Sequence, residues 1–116
     1  MKPLIAVLSI LLLTGNAAMA ADRIVKCQID SGNQTVYEGK CVFIPDRKGS
    51  FALANPEKNK PLTDTVTIVS VSIIEKGVAE VRGLTSDGIN SRWGEAKRSV
   101  KDKACWQGED FKVCAW

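Results

Sequence analysis

The chain has 116 residues, with 16 Lys and Arg against 13 Asp and Glu, no His and four Cys. A chain of this length builds one small domain. Without His it lacks Ser-His and Cys-His nucleophile pairs, His-ligated zinc and an imidazole acid or base, so the composition argues against an enzyme. The formal net charge of +3 suits a partner with an acidic surface or cleft, but it is too small to predict nucleic-acid binding.

The first twenty residues have the pattern of a signal peptide. Met1-Lys2 is a short basic start, residues 4–13 are apolar, and Ala18-Met19-Ala20 is a small-residue cleavage site. The apolar run is too short to span a bilayer, so a retained anchor is the less favoured alternative. We expect cleavage after Ala20, a periplasmic or secreted protein with no integral membrane segment, and one β domain made of residues 21–116.

Export places the four cysteines in an oxidising compartment, where two disulfides are expected rather than a metal site. No Cys-x-x-Cys spacing is present, and three pairings are formally possible. We favour Cys27 with Cys41 and Cys105 with Cys114, because each pair flanks turn-like residues and would lie on paired antiparallel strands. The bridges are expected to be structural, with neither a metal nor a cofactor bound.

Short β-branched and aromatic runs alternate with Gly, Asp, Asn and Pro along the rest of the chain, and no stretch sustains a helical period. This pattern predicts an all-β fold. The predicted strands, in chain order, are residues 23–29, 35–38, 40–44, 50–54, 65–75, 78–84, 91–99, 104–107 and 111–115. Tight turns separate most of them, and only residues 55–64 are long and polar enough for a surface loop.

The central strand indicates the architecture. Val66 and Ile68 share one face, whereas Val69, Val71 and Ile73 have the opposite parity, which predicts a bulge near Ile68-Val69. The alternative is a strand that is buried on both faces. About eight short strands joined by tight turns favour an antiparallel meander, either a small barrel or a sandwich. Because the central strand is apolar and uncharged, we expect closure of the sheet or a homodimer across it.

Several motifs carry a resemblance to a known family. They are Gly-Ile-Asn-Ser-Arg-Trp-Gly at residues 88–94, Ala-Cys-Trp at 104–106, Cys-Ala-Trp at 114–116, Gly-x-Cys-x-Phe at 39–43 and Gly-Ser-Phe at 49–51. With Cys27, they resemble a family of small exported proteins of alphaproteobacteria over most of the mature chain. The best-defined activity that this resemblance implies is inhibition of a peptidoglycan hydrolase (lysozyme). The likeness to the inhibitors of c-type lysozyme is architectural, since their Ser-Gly-rich inhibitory motif is absent.

Two loops are candidates for contact with such a hydrolase, whose cleft holds paired catalytic carboxylates. Residues 86–93 offer Asn90, Ser91 and Arg92 as donors beside Trp93 as an aromatic anchor. The second candidate is residues 46–50, which present two cations and a hydroxyl; the cations are Arg47 and Lys48.

Each aromatic candidate also has a structural interpretation. Arg92 can be solvated while Trp93 caps a core, and Trp106 and Phe111 are expected in the core because they flank a hairpin disulfide. Trp116 can either cover a barrel end or be an exposed anchor.

The sequence thus predicts a non-enzymatic inhibitor of a lysozyme-like muramidase, of host or self origin. The competing hypothesis is an envelope module that binds glycan strands or another protein on an aromatic surface.

Overall fold

The computed structural model describes residues 21–116, and the predicted signal peptide lies outside the described residues. Eight strands and a single 3-10 turn, Arg47–Gly49, make up the fold. The strands are β1 (Arg23–Ser31), β2 (Gln34–Pro45), β3 (Phe51–Ala54), β4 (Val66–Glu75), β5 (Val78–Thr85), β6 (Asn90–Arg98), β7 (Cys105–Gly108) and β8 (Phe111–Ala115). The prediction of an all-β chain is confirmed.

The sheet closes into a barrel. Each strand pairs antiparallel with the next one, and β8 pairs back with β1. Closure gives each of these eight strands two neighbours, so the barrel has no free edge strand. The apolar strand β4 therefore lies within the wall, between β3 and β5. Of the two predicted architectures the chain forms the barrel, and a homodimer across β4 stays a prediction.

Two predicted strands, residues 35–38 and 40–44, are one continuous strand in the structure. Gly39 stays in the β1–β2 ladder, opposite Cys27, with a φ of 153°. Glycine adopts this positive φ without the steric cost that a Cβ would add, so the strand continues through it. The nine predicted runs therefore give eight strands.

The predicted bulge in the central strand is present at a slightly earlier position. The register between β4 and β5 shifts between Val66 and Ile68, so Thr67 has no residue paired with it across the ladder to β5. Because one extra residue reverses the parity of a strand, Val66 and the fully buried Val69 and Val71 all pack into the interior. The bulge, rather than burial on both faces, explains the change of phase in the sequence.

Apolar side chains from all eight strands fill the barrel. The buried cluster comprises Val25, Cys27, Ile29, Cys41, Phe51, Leu53, Leu62, Val69, Val71, Ala79, Val81, Ala96, Trp106, Phe111 and Val113. Burial of each large apolar side chain stabilises the fold by about 1.5–3 kcal/mol. Within residues 21–116 no polar or charged residue is buried. The interior is thus a packed core, and ligand contacts must lie at its ends or on its outer wall.

Both predicted disulfides are present. Cys105 directly faces Cys114 across β7 and β8, with their Cα atoms 4.0 Å apart. Cys27 faces Gly39 and bonds diagonally to Cys41 inside the barrel, with a Cα–Cα distance of 5.8 Å. Two disulfides are consistent with an oxidising, extracytoplasmic compartment. The part of the chain that the structure describes contains no helix long and apolar enough to cross a membrane.

Because strands alternate in direction, alternate connections lie at the same end of the barrel. The upper end carries the β1–β2 turn (32–33), the β3–β4 loop (55–65), the β5–β6 turn (86–89) and the β7–β8 turn (109–110). The lower end carries residues 21–22, the β2–β3 connection (46–50), the β4–β5 turn (76–77), the β6–β7 loop (99–104) and Trp116. These two names are kept below.

Candidate functional site

The two candidate loops lie at opposite ends of the barrel. The turn before β6 belongs to the upper end, whereas residues 46–50 belong to the lower end. A binding surface at one end of the barrel can therefore contain only one of the two candidate loops. The structure does not bring Arg47 and Lys48 together with residues 90–93.

The strand β6 begins at Asn90, so Arg92 lies within the strand and not in the turn before it. Its side chain is exposed on the outer wall of the barrel. Its Nε donates a hydrogen bond of 2.6 Å to Oε2 of Glu80. Nε of Arg82 donates to the other carboxylate oxygen at 3.1 Å. The bond from Arg92 lowers the pKa of Glu80 most, and the bond from Arg82 adds to it against the opposing effect of desolvation. Arg92 is thus paired with an acid of its own chain.

Trp93 points to the other side of the wall. It has no partner on β5, because Arg92 pairs with Arg82 and Gly94 pairs with Val81. This bulge turns the half-buried indole into the upper end, where its ring packs edge-on against Phe111 at a centroid distance of 5.8 Å. Arg92 and Trp93 therefore do not form a donor and anchor on one face, and Trp93 caps the core.

Two glycines make room for these upper aromatic rings. A Cβ on Gly83 would lie 2.8 Å from Nε1 of Trp93, and one on Gly108 would lie 2.2 Å from Cε1 of Phe111. Both distances are too short for a real side chain, so the close approach of ring to backbone requires glycine. Asn90 and Ser91 remain exposed at the start of β6.

Hydrogen bonds to its backbone amides hold the lower candidate loop. The side chain of Asp46 accepts from the Arg47 amide at 2.7 Å, and the amide of Ser50 donates to the Arg47 carbonyl at 3.0 Å. Lys48 adopts a left-handed conformation with a φ of 55°. The hydroxyl of Ser50 accepts from the amide of Ile73 at 2.8 Å, which ties the loop to β4. The loop thus presents the exposed Arg47 and Lys48 on a fixed backbone.

The fold sorts the charges between the two ends. Cations dominate the lower end, where Arg23, Arg47, Lys48, Lys76, Arg98, Lys101 and Lys103 stand against Asp22, Asp46, Glu75 and Asp102. Acids dominate the upper end, where Asp30, Glu57, Asp64, Asp87, Glu109 and Asp110 stand against Lys58, Lys60 and Lys112. The net charge of the protein is small because a basic lower end and an acidic upper end partly cancel. Each end favours a partner of the opposite charge.

A cavity of about 200 Å³ opens at the lower end and is called the lower cavity here. Its lining combines cations with aromatic rings and contains no carboxylate side chain. The lining residues are Arg23, Phe43, Gly49, Phe51, Arg98, Lys103, Ala104, Trp106, Ala115 and Trp116. The rings of Phe43 and Phe51 stack at a centroid distance of 4.8 Å and form part of its wall.

A cavity of about 410 Å³ opens at the upper end, the upper cavity, with Trp93 and Phe111 in its wall and Asp30, Asp64 and Asp110 in its lining. Burial raises the pKa of Asp30, but hydrogen bonds from Gln28 and Thr35 and the charge of Lys112 outweigh it, so the pKa lies below its usual value. Asp30 is therefore occupied by partners of its own chain.

Among residues 21–116 no three His, Cys, Asp or Glu side chains form a group that could hold a metal ion. The fold and its ends define a small, disulfide-bonded, eight-stranded antiparallel barrel with a basic and an acidic mouth. No protein-family model matches the chain, and no curated protein and no solved structure matches it either.

The sequence-based prediction did not find the cavities. Arg23, Arg98 and Lys103 come from three different segments, and so do the three acids of the upper cavity. One signal was available: in a meander, alternate turns share an end, so summing the charges of alternate predicted turns would have separated the basic mouth from the acidic one.

Proposed function

We propose that the protein is an exported, non-enzymatic inhibitor of a lysozyme-like peptidoglycan hydrolase and that it binds with the lower end of the barrel. The observation that carries this proposal is the cationic lower end, with Arg47 and Lys48 exposed on a loop that hydrogen bonds hold in one conformation. A lysozyme-type cleft holds two catalytic carboxylates, which is the complementary charge. Periplasmic or secreted localisation belongs to the same proposal.

Rigidity supports a role in inhibition. A loop whose conformation is already set loses little entropy on binding, so more of the contact energy contributes to affinity. The bonds from Asp46 and Ser50 and the tie to Ile73 set the backbone of this loop before it meets a partner. The loop contains no glycosidic bond. The hydrolase therefore cannot cleave it when it occupies the cleft.

The upper candidate residues fit this role less well. The charge of Arg92 is already compensated by the carboxylate of Glu80, 2.6 Å from its Nε, which weakens its attraction to a carboxylate of the hydrolase. The neighbouring upper end is rich in acids, which repel an acidic cleft. The geometry therefore favours the lower loop over residues 90–93 as the inhibitory surface.

The test is a turbidity assay of muramidase activity on cell-wall suspensions with the mature protein added. We expect inhibition by the parent protein, and a loss of about 30-fold or more in affinity when Arg47→Ala and Lys48→Ala are combined, since truncating a desolvated charge contact typically costs 2–5 kcal/mol. The matched control combines Lys58→Ala and Lys60→Ala, which removes the same charge from the upper end. Equal losses for the two double variants, with unchanged melting curves, would contradict the proposed face.

A second candidate function is an envelope module that binds glycan strands or another protein. The exposed apolar side chains of the lower end favour it: Val100 is 94% exposed and Trp116 is 46% exposed. This module would co-sediment with purified peptidoglycan and leave every tested muramidase fully active. An inhibitor would block the enzyme in solution on a soluble oligosaccharide substrate, where no cell wall is present.

A further inference from the structure

The lower cavity has the chemistry of an oxyanion site. Three cations, Arg23, Arg98 and Lys103, line it, and they lie on β1, on β6 and in the β6–β7 loop. None of the three takes part in an ion pair within 4.0 Å in the described part of the chain. Like charges that line one cavity without forming ion pairs repel one another, and an anion bound among them lowers that repulsion.

Contacts with the rest of the barrel hold the two guanidinium groups in place. The Arg23 guanidinium lies 4.3 Å from the ring centroid of Phe43, and that of Arg98 lies 5.3 Å from the ring of Trp106. Nε of Arg98 also donates to the carbonyl of Lys103 at 2.8 Å. This bond uses one of the five N–H donors of Arg98 and leaves the terminal nitrogens available, which is the fork that binds carboxylate and phosphate oxygens.

The acid nearest to the cavity, Asp102, has hydrogen-bond partners of its own. Asp102 accepts hydrogen bonds from the amide of Ala104 at 2.9 Å and from Nε1 of Trp116 at 3.0 Å. Asp102 is not among the residues that line the cavity. Its bond to Trp116 also positions the indole of that residue, which forms one wall of the cavity.

The apolar part of the cavity is aromatic. Phe51 and Trp106 are 7% and 2% exposed, so they are fixed in the core and reach the cavity only at their edges, whereas Trp116 is 46% exposed and offers the accessible ring of the lining. Flat apolar groups stack on such rings. The volume of about 200 Å³ is below the roughly 300–1,000 Å³ of pockets for drug-sized ligands, so the ligand must be small.

We propose that the lower cavity binds a small organic oxyanion, a carboxylate or phosphate carried on a flat apolar body. The oxyanion would lie between the guanidinium groups of Arg23 and Arg98, with the ammonium of Lys103 beside it, and the apolar body would pack on the aromatic wall. This inference concerns small ligands and stands independently of inhibition of a hydrolase.

The experiment follows the three indole N–H signals of the mature protein by NMR during titration with benzoate and with phenyl phosphate. Trp106 and Trp116 line the lower cavity, and Trp93, in the wall of the upper cavity, is an internal control. We expect both lower indole signals to shift and saturate while the Trp93 signal stays in place. The ratio of the two affinities distinguishes a carboxylate ligand from a phosphate ligand.

Three variants test the cations. Arg23→Gln, Arg98→Gln and Lys103→Gln should each weaken binding, by about tenfold or more for the two arginines, because charge-assisted hydrogen bonds are the strong ones. Lys103→Gln keeps the backbone carbonyl that accepts the hydrogen bond from Arg98. This variant therefore removes the charge of Lys103 and leaves the position of Arg98 unchanged. Lys58→Gln, at the upper end, removes one charge and should leave the affinity unchanged.

Two further ligands can overturn the proposal. Benzamide has the shape of benzoate without the charge, and binding of equal strength would show an apolar cleft rather than an oxyanion site. Inorganic phosphate has the charge without the apolar body, and equal binding would show unspecific attraction to a basic surface. Absence of any shift at Trp106 and Trp116, or a loss of affinity in Lys58→Gln as large as in Lys103→Gln, would also overturn it.

Discussion

The two ends of the barrel share one design and differ in chemistry. Each end holds a pair of aromatic rings: Trp93 packs edge-on against Phe111 above, and Phe43 stacks on Phe51 below. The upper mouth is acidic and the lower mouth is basic. In a meander the odd-numbered connections meet at one end and the even-numbered ones at the other. Residues spread along the chain can therefore form two opposite electrostatic surfaces without any clustering in the sequence.

The ends also differ in how they are held together. Cys105 is the first residue of β7 and Cys114 lies near the end of β8, so this disulfide joins two strands close to the lower end. The upper end lacks a cross-link among the described residues and depends on close packing of Trp93 and Phe111 over glycines. We therefore expect packing changes to weaken the upper end most and reduction to weaken the lower end most.

The largest effect is expected from Phe111→Ala. Phe111 is 5% exposed and packs into the core, so its truncation should cost about 3–5 kcal/mol of unfolding free energy. Phe43→Ala, which removes a half-buried ring at the lower end, should cost less. Urea denaturation of both variants measures the difference. Equal losses would show that the two aromatic pairs contribute alike.

The second largest loss of stability is expected on removal of the disulfide between Cys105 and Cys114, which lies near the lower end. Replacing Cys105 and Cys114 by Ser should lower the unfolding free energy by about 2–3 kcal/mol, because the loop they close is short. Amide hydrogen exchange should rise at the lower ends of β7 and β8 more than around Trp93. Peptide mapping of the unreduced parent checks the pairing itself, and a link between Cys27 and Cys105 would contradict the structure.

A smaller loss is expected from Gly108→Ala. The new methyl group would overlap the ring of Phe111, and overpacking of this kind costs about 1–3 kcal/mol. In a Phe111→Leu background the overlap is relieved, so the same substitution should cost much less. A double-mutant cycle measures this coupling. If the penalty is the same in both backgrounds, a backbone effect is responsible and not the ring.

The smallest effect is on acid stability. The pKa of Asp30 is lower in the folded protein than its unfolded value of about 3.8, so the carboxylate stabilises the fold above that pH. This contribution should disappear as the pH falls through the lowered pKa, because the unfolded chain then binds the proton more readily. Asp30→Asn should flatten the acid limb of a plot of melting temperature against pH. An acid limb identical to that of the parent would show that the hydrogen bonds from Gln28 and Thr35 contribute nothing.

Local patterns in the sequence were enough for the strand content, most turns and both disulfides. Alternation of apolar residues and the turn residues between them are properties of neighbouring positions, and a hairpin disulfide joins strands that are close in sequence. The same local logic found the central bulge and the core positions of Trp106 and Phe111, which are 2% and 5% exposed. These features need no knowledge of the distant part of the chain.

Tertiary structure decided the features on which function depends. Closure joins β1 to β8, and the pairing of Arg92 with Glu80 depends on the register between β5 and β6. Neighbouring residues of a strand point to opposite faces, and the one-residue bulge in β6 decides that Arg92 is the outward one and Trp93 the inward one. Charge, register and burial at the mouths depend on contacts between distant segments, because Coulomb forces and packing act through space and not along the sequence.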